Sequence, residues 1–379
     1  AADMRGLVRP VRYYEIGVEF SSYEPEPVRD YLTMLDTAYE AAHNVYPEVI
    51  VLHAAFLTAT VFDDDPSPGQ YEAAFGAASE RIMYHSLEDI RQVLDRPDIF
   101  DAINFHALAQ PEEIEATAEW LHYEMAQRAY SKPLVISDTS PSPLVGWGPA
   151  TRCDGPQESM GLVIRPATED DRCRLADYFT RLVQNDAATL EWTYGFAAED
   201  VVKRVVVAAA EGISYINTAF MEDLLPLQAA PFQAAAGTSA WAGMADVDVN
   251  LFTQTHTVNG FRPVFYALKQ LVAHLDGYDA VTRTDTPDAN VRLYRLENTA
   301  DERVGERWAA WYAPPGLVLP EDPIPETVLE LECDAATVDV ETLITDSGRT
   351  QPLVERVACD DGLAVIPLSP TPVFVSAAS

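Results

Sequence analysis

Two carboxylates on separate apolar stretches are the residues whose types could do chemistry together. Glu19 closes the segment 12–20 (RYYEIGVEF), and Asp138 lies near the end of 132–140 (KPLVISDTS). Both segments have the composition of β-strands. Cleaving a glycosidic bond with retention needs this kind of pair. One carboxyl protonates the leaving oxygen while the other attacks the anomeric carbon, the two lying about 5 Å apart. In β/α barrels such residues sit at the C-terminal tips of parallel strands.

The surrounding elements have the order this requires. Segment 12–20 alternates, with Tyr13, Glu15, Gly17 and Glu19 on one face and Tyr14, Ile16 and Val18 on the other. A buried Glu15 on the inner face requires a partner. Apolar residues at 28, 31, 32, 35, 38, 39 and 42 predict a helix over 27–43. Residues 49–56 form a continuous apolar run of the buried parallel kind. Helical spacing across much of 71–95, a strand over 99–106, a helix from Pro111 to about 129, and the strand 133–138 follow. Short connections between alternating strands and helices predict a parallel sheet wrapped by helices. Thr168 caps a helix to 184, a second helix covers 198–211, a strand covers 213–220, and another helix covers 263–275. After Gly277 the runs become short and are separated by Asp, Gly and Pro, which predicts an antiparallel β-sandwich of about a hundred residues. The expected domains are 1–276 and 277–379.

Composition excludes several classes of function. The 379 residues carry a formal charge of −35, and the only lysines are Lys132, Lys203 and Lys269. So acidic a field repels phosphate backbones and argues against a nucleic-acid partner. Many carboxylates with few lysines suit concentrated salt, where self-repulsion is screened; an acidic secreted protein has the same composition. No apolar run approaches the ~20 residues of a membrane-spanning helix. The four cysteines fall as two local groups, Cys153 with Cys173 and Cys333 with Cys359. That fits two disulfides and an oxidising, extracellular or cell-surface location, although three connectivities and four free thiols are also open.

Motifs for other chemistries are missing. There is no phosphate-binding glycine loop, no HExxH and no CxxC, so neither a cofactor nor a metal is expected. His53, on an apolar strand, is expected to be a core residue. Segment 62–70 (FDDDPSPGQ) is an acidic loop, and Glu222 and Asp223 fall in another loop.

At these residues the chain resembles the retaining glycoside hydrolases of the (β/α)8 clan A, with the xylosidase/iduronidase and arabinofuranosidase families nearest. RYYEIGVEF resembles the clan's fourth strand, AYEAAHNVYPEVIVLHAAF the next helix and fifth strand, FDAINFHA the sixth and KPLVISDTS the seventh. EGISYINTAFMED resembles the eighth strand, and RPVFYALKQLVAHLDGY the last helix before a β-sandwich. The resemblance implies a TIM (β/α)8-type barrel followed by an antiparallel β-sandwich. It implies a glycosidase in which Glu19 is the general acid/base, Asp138 the nucleophile, and His106 and Asn217 contact the carbohydrate; Trp147 and Trp241, in or near predicted top-face loops, are expected either to stack on sugar rings or to be packing residues. It also implies that the first three β/α units lie in an N-terminal segment or a partner chain, since this sequence opens at Ala1 on what resembles the fourth strand. Two positions depart from the clan pattern. Val18 replaces the asparagine that bonds the sugar 2-hydroxyl, and Asp138 replaces a glutamate. The alternative expectation is therefore a catalytically inactive carbohydrate-binding or structural surface protein on the same fold.

Overall fold

The computed structural model describes residues 11–58, 84–108, 110–139, 141, 152–154, 168–218, 220–223, 238–250, 252–253, 255–301 and 305–377. The chain forms two compact units. The first comprises Ala1–Thr139, Ser159–Arg165 and Glu211–Thr218, and the second the remainder.

In the first unit strands and helices alternate: β1 (Tyr13–Glu19), α1 (Val28–Val45), β2 (Ile50–Leu57), α2 (Leu87–Leu94), β3 (Ile103–His106), α3 (Glu112–Gln127), β4 (Leu134–Thr139) and β5 (Tyr215–Thr218). The strands form one parallel sheet in chain order. The continuous apolar run of β2 is buried, as expected of a strand covered on both faces. Ser86 and Asp89 form a reciprocal capping box that starts α2. Pro111 and three glutamates in the first turn favour the start of α3. The buried Glu124 of α3 accepts from Arg91 of α2 at 2.9 Å and from Arg128 at 2.6 Å, linking the two helices by charge-assisted bonds. Tyr13 of β1 stacks on Tyr215 of β5 with centroids 4.8 Å apart, so side chains from the two outer strands meet and the sheet is curled.

His53 is a core residue, as its apolar surroundings suggest. Its Nδ1 lies 2.8 Å from the Ala54 carbonyl and its Nε2 3.2 Å from the Asn104 amide. Nδ1–H therefore donates and Nε2 accepts. Burial lowers its pKa to about 4, which keeps the ring neutral.

Two irregularities in the sheet decide where the reactive side chains go. In β1, Ile16 pairs with His53 but Glu19 pairs with Ala55, so Gly17 and Val18 together oppose Ala54. Gly17 has φ +95°, and a Cβ there would lie 2.6 Å from Glu24 Oε1 and 2.8 Å from Ala54 Cβ. Glycine is required on both counts. Side chains complete the interrupted ladder. Ala54 N–H donates to Tyr31 Oη at 2.6 Å, and Tyr31 O–H donates to the Ile16 carbonyl at 3.1 Å. Ala55 N–H donates to Glu15 at 3.1 Å and Val18 N–H to Glu24 at 2.9 Å. In β4 the pairing skips Ser137 toward β3, because Phe105 pairs with Ile136 and His106 with Asp138. Toward β5, Ile136 pairs with Ile216 and Thr139 with Thr218, leaving Ser137 and Asp138 opposite Asn217.

The second unit contains α4 (Glu169–Val183), α5 (Ala187–Ala210), the hairpin β6 (Ala245–Asn250) and β7 (Thr255–Phe261), and α6 (Pro263–Leu275). It continues with β8 (Ala280–Thr284), β9 (Val291–Glu297), β10 (Arg307–Tyr312), β11 (Thr327–Glu332), β12 (Thr337–Thr342), β13 (Leu353–Asp360), β14 (Leu363–Leu368) and β15 (Val373–Ala377). These last eight strands form an antiparallel sheet in the order β11-β14-β13-β12-β15-β10-β9-β8. Leu331 and Ile366 from β11 and β14 share one apolar core with Val340 and Val375 from β12 and β15. The sheet thus folds over its own core, the arrangement expected of a sandwich. The structure pairs Cys153 with Cys173 and Cys333 with Cys359.

Helix α5 begins at Ala187, well before residue 198 where periodicity starts it. Aromatic residues at 192, 194 and 196 alternate around Gly195 and obscure the helical period. Packing makes the helix: Trp192 meets the Tyr178 ring edge at 5.6 Å and stacks on Phe196 at 5.3 Å. Gly195 lies where a Cβ would sit 3.3 Å from the Thr345 carbonyl. The hairpin β6–β7 and strand β8 are additions that the sequence pattern did not reveal.

Tyr31→Phe is expected to leave both the Ala54 amide and the Ile16 carbonyl without this partner, costing about 1–3 kcal/mol in urea unfolding. Unchanged stability would show that the β1 bulge does not depend on the phenol.

Candidate active site

The C-terminal ends of β1, β3 and β4 bring together Glu19, His106 and Ser137 within the first unit, and Asp138 follows Ser137 in β4. His106 is the centre of the group. Its Nδ1 lies 2.8 Å from Glu19 Oε1, and its Nε2 lies 2.9 Å from Ser137 Oγ and 3.9 Å from Glu15 Oε1. Glu19 is 6% and His106 4% exposed, so their bond is made largely out of water. Asp138 is half-buried and pairs with His106 in the strand register. Glu19 and Asp138, which the resemblance makes acid/base and nucleophile, therefore stand on tips of one parallel sheet.

The layer below supports them. Glu15 finds the partners its burial demands: the Ala55 amide and the side chains of Ser137 and Asn104, with His106 near. Burial raises the Glu15 pKa above the usual carboxylate range, while the His106 charge and these hydrogen bonds oppose the shift. Asn104 accepts from Ser137 N–H at 3.1 Å, and Asn217 donates to the Ser137 carbonyl at 3.0 Å. Asn217, expected to contact carbohydrate, is thus engaged with the β4 backbone in this structure.

The other expected contacts lie elsewhere or are not described. Trp147 and the acidic loop 62–70 are outside the described residues. Trp241 belongs to the second unit, where it is 3% exposed and packs with Leu175, Tyr178 and Leu182. It also borders a cavity of about 370 Å³, lined further by Tyr194, Asp223, Asp246, Asp248 and Arg262. Arg262 bridges Asp223 and covers the Tyr194 ring at 4.5 Å. Glu222 lines the same cavity and meets His256 at 2.9 Å. Among the described residues no His, Cys, Asp and Glu side chains group as a metal site. No described helix is long and apolar enough to cross a membrane.

Sequence reasoning missed Ser137 and Asn104. Strict alternation sets Ser137 and Asp138 on opposite faces of β4. Ser137 meets His106 at a bulge, and nothing in VISDT marks a bulge.

No family model and no curated protein matches the chain. Solved structures do. A family 39 glycoside hydrolase from the gut symbiont Bacteroides cellulosilyticus WH2 superposes with a TM-score of 0.54 at 11% identity, covering 96% of this chain and 57% of that one. A family 51 α-L-arabinofuranosidase from Bifidobacterium longum gives 0.46 at 8% identity, covering 92% and 63%. The chain thus spans less than two thirds of either structure's length. The first likeness bears on the fold alone: a curled parallel half-barrel sheet followed by an antiparallel β domain, as in the (β/α)8 glycoside hydrolases of clan A.

The raised Glu15 pKa sets a pH dependence. Its folded form holds a proton more tightly than the unfolded chain, so ionisation at this position destabilises the fold as pH rises above about 4.5. Glu15→Gln removes that penalty. Its stability relative to the parent chain is expected to improve from pH 4 to pH 7 in paired urea titrations. A flat difference would show that Glu15 titrates alike in both states.

Proposed function

We propose that the protein is a retaining glycoside hydrolase acting on oligo- or polysaccharides, with Glu19 as acid/base and Asp138 as nucleophile. The observation that carries this reading is the hydrogen bond from His106 to the buried Glu19 on the tip of β1, in the same parallel sheet as Asp138 on β4. His106 Nδ1–H engages Glu19 Oε1 and leaves the other carboxyl oxygen to carry the transferable proton. In the first step Asp138 attacks the anomeric carbon, the glycosidic C–O bond breaks, and Glu19 protonates the departing oxygen. In the second, Glu19 takes a proton from water, whose oxygen displaces Asp138 from the sugar. Both disulfides, the acidic charge and the fold support a protein of the cell exterior or surface that works in concentrated salt. Among the described residues β1 and β5 each pair on one side only. Further strands, from a preceding segment or a partner chain, would pair there to complete a barrel.

Val18 and Asp138 favour a second reading, a carbohydrate-binding or structural surface protein without turnover. Val18 is 58% exposed and carries no group for a sugar hydroxyl. An aspartate places its carboxylate one methylene short of a glutamate's position, and a misplacement of about 1 Å costs on the order of 10²-fold in rate.

A panel of aryl glycosides assayed at low and high salt decides between them. Glu19→Gln is expected to lower turnover by roughly 10²–10⁴-fold, with Asp138→Asn at least as damaging. Sugar binding with no turnover of any glycoside by the parent chain would instead identify the second reading.

A further inference from the structure

The residue that glycosidase chemistry does not use is Ser137, and it is the most tightly held residue of the site. It is the extra residue of the β4 bulge. Its N–H is bound by Asn104 at 3.1 Å and its carbonyl by Asn217 at 3.0 Å, so bonds to two side chains fix its backbone. Its hydroxyl then points at His106, with Oγ 2.9 Å from Nε2. The opposite ring nitrogen is 2.8 Å from Glu19. In the tautomer that donates Nδ1–H to the Glu19 carboxylate, Nε2 is an acceptor within reach of the Ser137 O–H. We propose that Ser137, His106 and Glu19 form a nucleophile–base–carboxylate triad that cleaves carboxylic esters.

Each role follows from position. The triad is defined by two consecutive hydrogen bonds, nucleophile to base and base to orienting carboxylate, irrespective of fold or chain order. Both bonds have the required length here, and the strand bulges set both ends. A bulge re-aims a side chain without moving the rest of the strand. Ser137 is half-buried, so Oγ keeps access to a substrate carbonyl, while Glu19 and His106 are nearly sealed. Sealing strengthens the Glu19–His106 attraction, which favours the imidazolium that forms when Ser137 is deprotonated. Glu15 also hydrogen-bonds the Ser137 side chain. The hydroxyl has one proton to give, and the triad is the arrangement in which His106 Nε2, and not Glu15, receives it.

The reaction balances within the site. Ser137 Oγ bonds to the ester carbonyl carbon as its proton passes to His106 Nε2. The bond from that carbon to the alkoxy oxygen breaks, and Nε2 returns the proton to the departing alcohol. Water then gives a proton to Nε2 as its oxygen bonds to the carbonyl carbon; the bond from that carbon to Ser137 Oγ breaks, and Nε2 returns the proton to Oγ, releasing the acid and restoring Ser137.

The test is labelling of the full chain with a fluorophosphonate, followed by intact mass and peptide mapping. One adduct per chain is expected, on Ser137, with release of a stoichiometric burst of p-nitrophenol from p-nitrophenyl acetate. Ser137→Ala is expected to take no label while keeping the parent circular dichroism, since Asn104 and Asn217 bind only the backbone of residue 137. His106→Gln is expected to slow labelling by roughly 10²–10⁴-fold. Absence of an adduct on Ser137 in the folded parent chain, or equal labelling of His106→Gln, would overturn the proposal. Labelling reports the serine alone, so its result stands whether or not aryl glycosides are hydrolysed.

Discussion

The Tyr31 phenol carries the first strand across a break that the sheet could not otherwise bear. Parallel strands exchange evenly spaced hydrogen bonds, and an inserted residue leaves buried amides and carbonyls without partners. In β1 the insertion at Gly17 and Val18 falls beside the buried Ala54 and Ala55. Tyr31 serves one amide and one carbonyl, Glu15 serves the next amide, and Glu24 serves the bulge itself. Each unserved buried group costs about 1–3 kcal/mol, so the three bonds at Ala54, Ile16 and Ala55 together are comparable with a sizeable part of a domain's net stability. What this achieves is direction. Without the insertion Glu19 would pair one residue farther along β2, and its bond to His106 would be lost.

The second bulge has the same construction with different parts. Asn104 and Asn217 serve the backbone of Ser137 as Tyr31 and Glu24 serve that of β1. The second device draws its side chains from the flanking strands β3 and β5, and the first from α1, from β1 itself and from Glu24 in the connection that follows β1. His106 stands between the two bulges and reads both, with one ring nitrogen on each. A neutral imidazole has one donor and one acceptor nitrogen, so protonation at Nδ1 determines the role of Nε2. The bond to Glu19 therefore decides what His106 does to Ser137.

The elements were largely legible in the sequence, because long periodic segments such as 263–275 and the apolar run of β2 declare their type. Glu19, Asp138 and His106 were legible as strand-tip residues for the same reason. Several features were hidden. Helix α5 was half hidden because aromatic packing and a close approach at Gly195 override a weak local pattern. The hairpin β6–β7 is largely exposed and lacks the apolar alternation of a half-buried strand. Ser137 was hidden because a bulge is a property of pairing. It depends on three strands at once, and no single segment records it.

Val18 bears on how the two chemistries relate. The bulge turns its side chain toward solvent, and its amide is already held by Glu24. An asparagine there would gain a sugar hydroxyl only by projecting over the site from that exposed position. Valine forfeits that contact but leaves the Glu19–His106 bond intact, because the geometry of Glu19 comes from the bulge and not from residue 18. The line from Glu19 through His106 to Ser137 is set by the two bulges, so the side chain at residue 18 can vary without disturbing it.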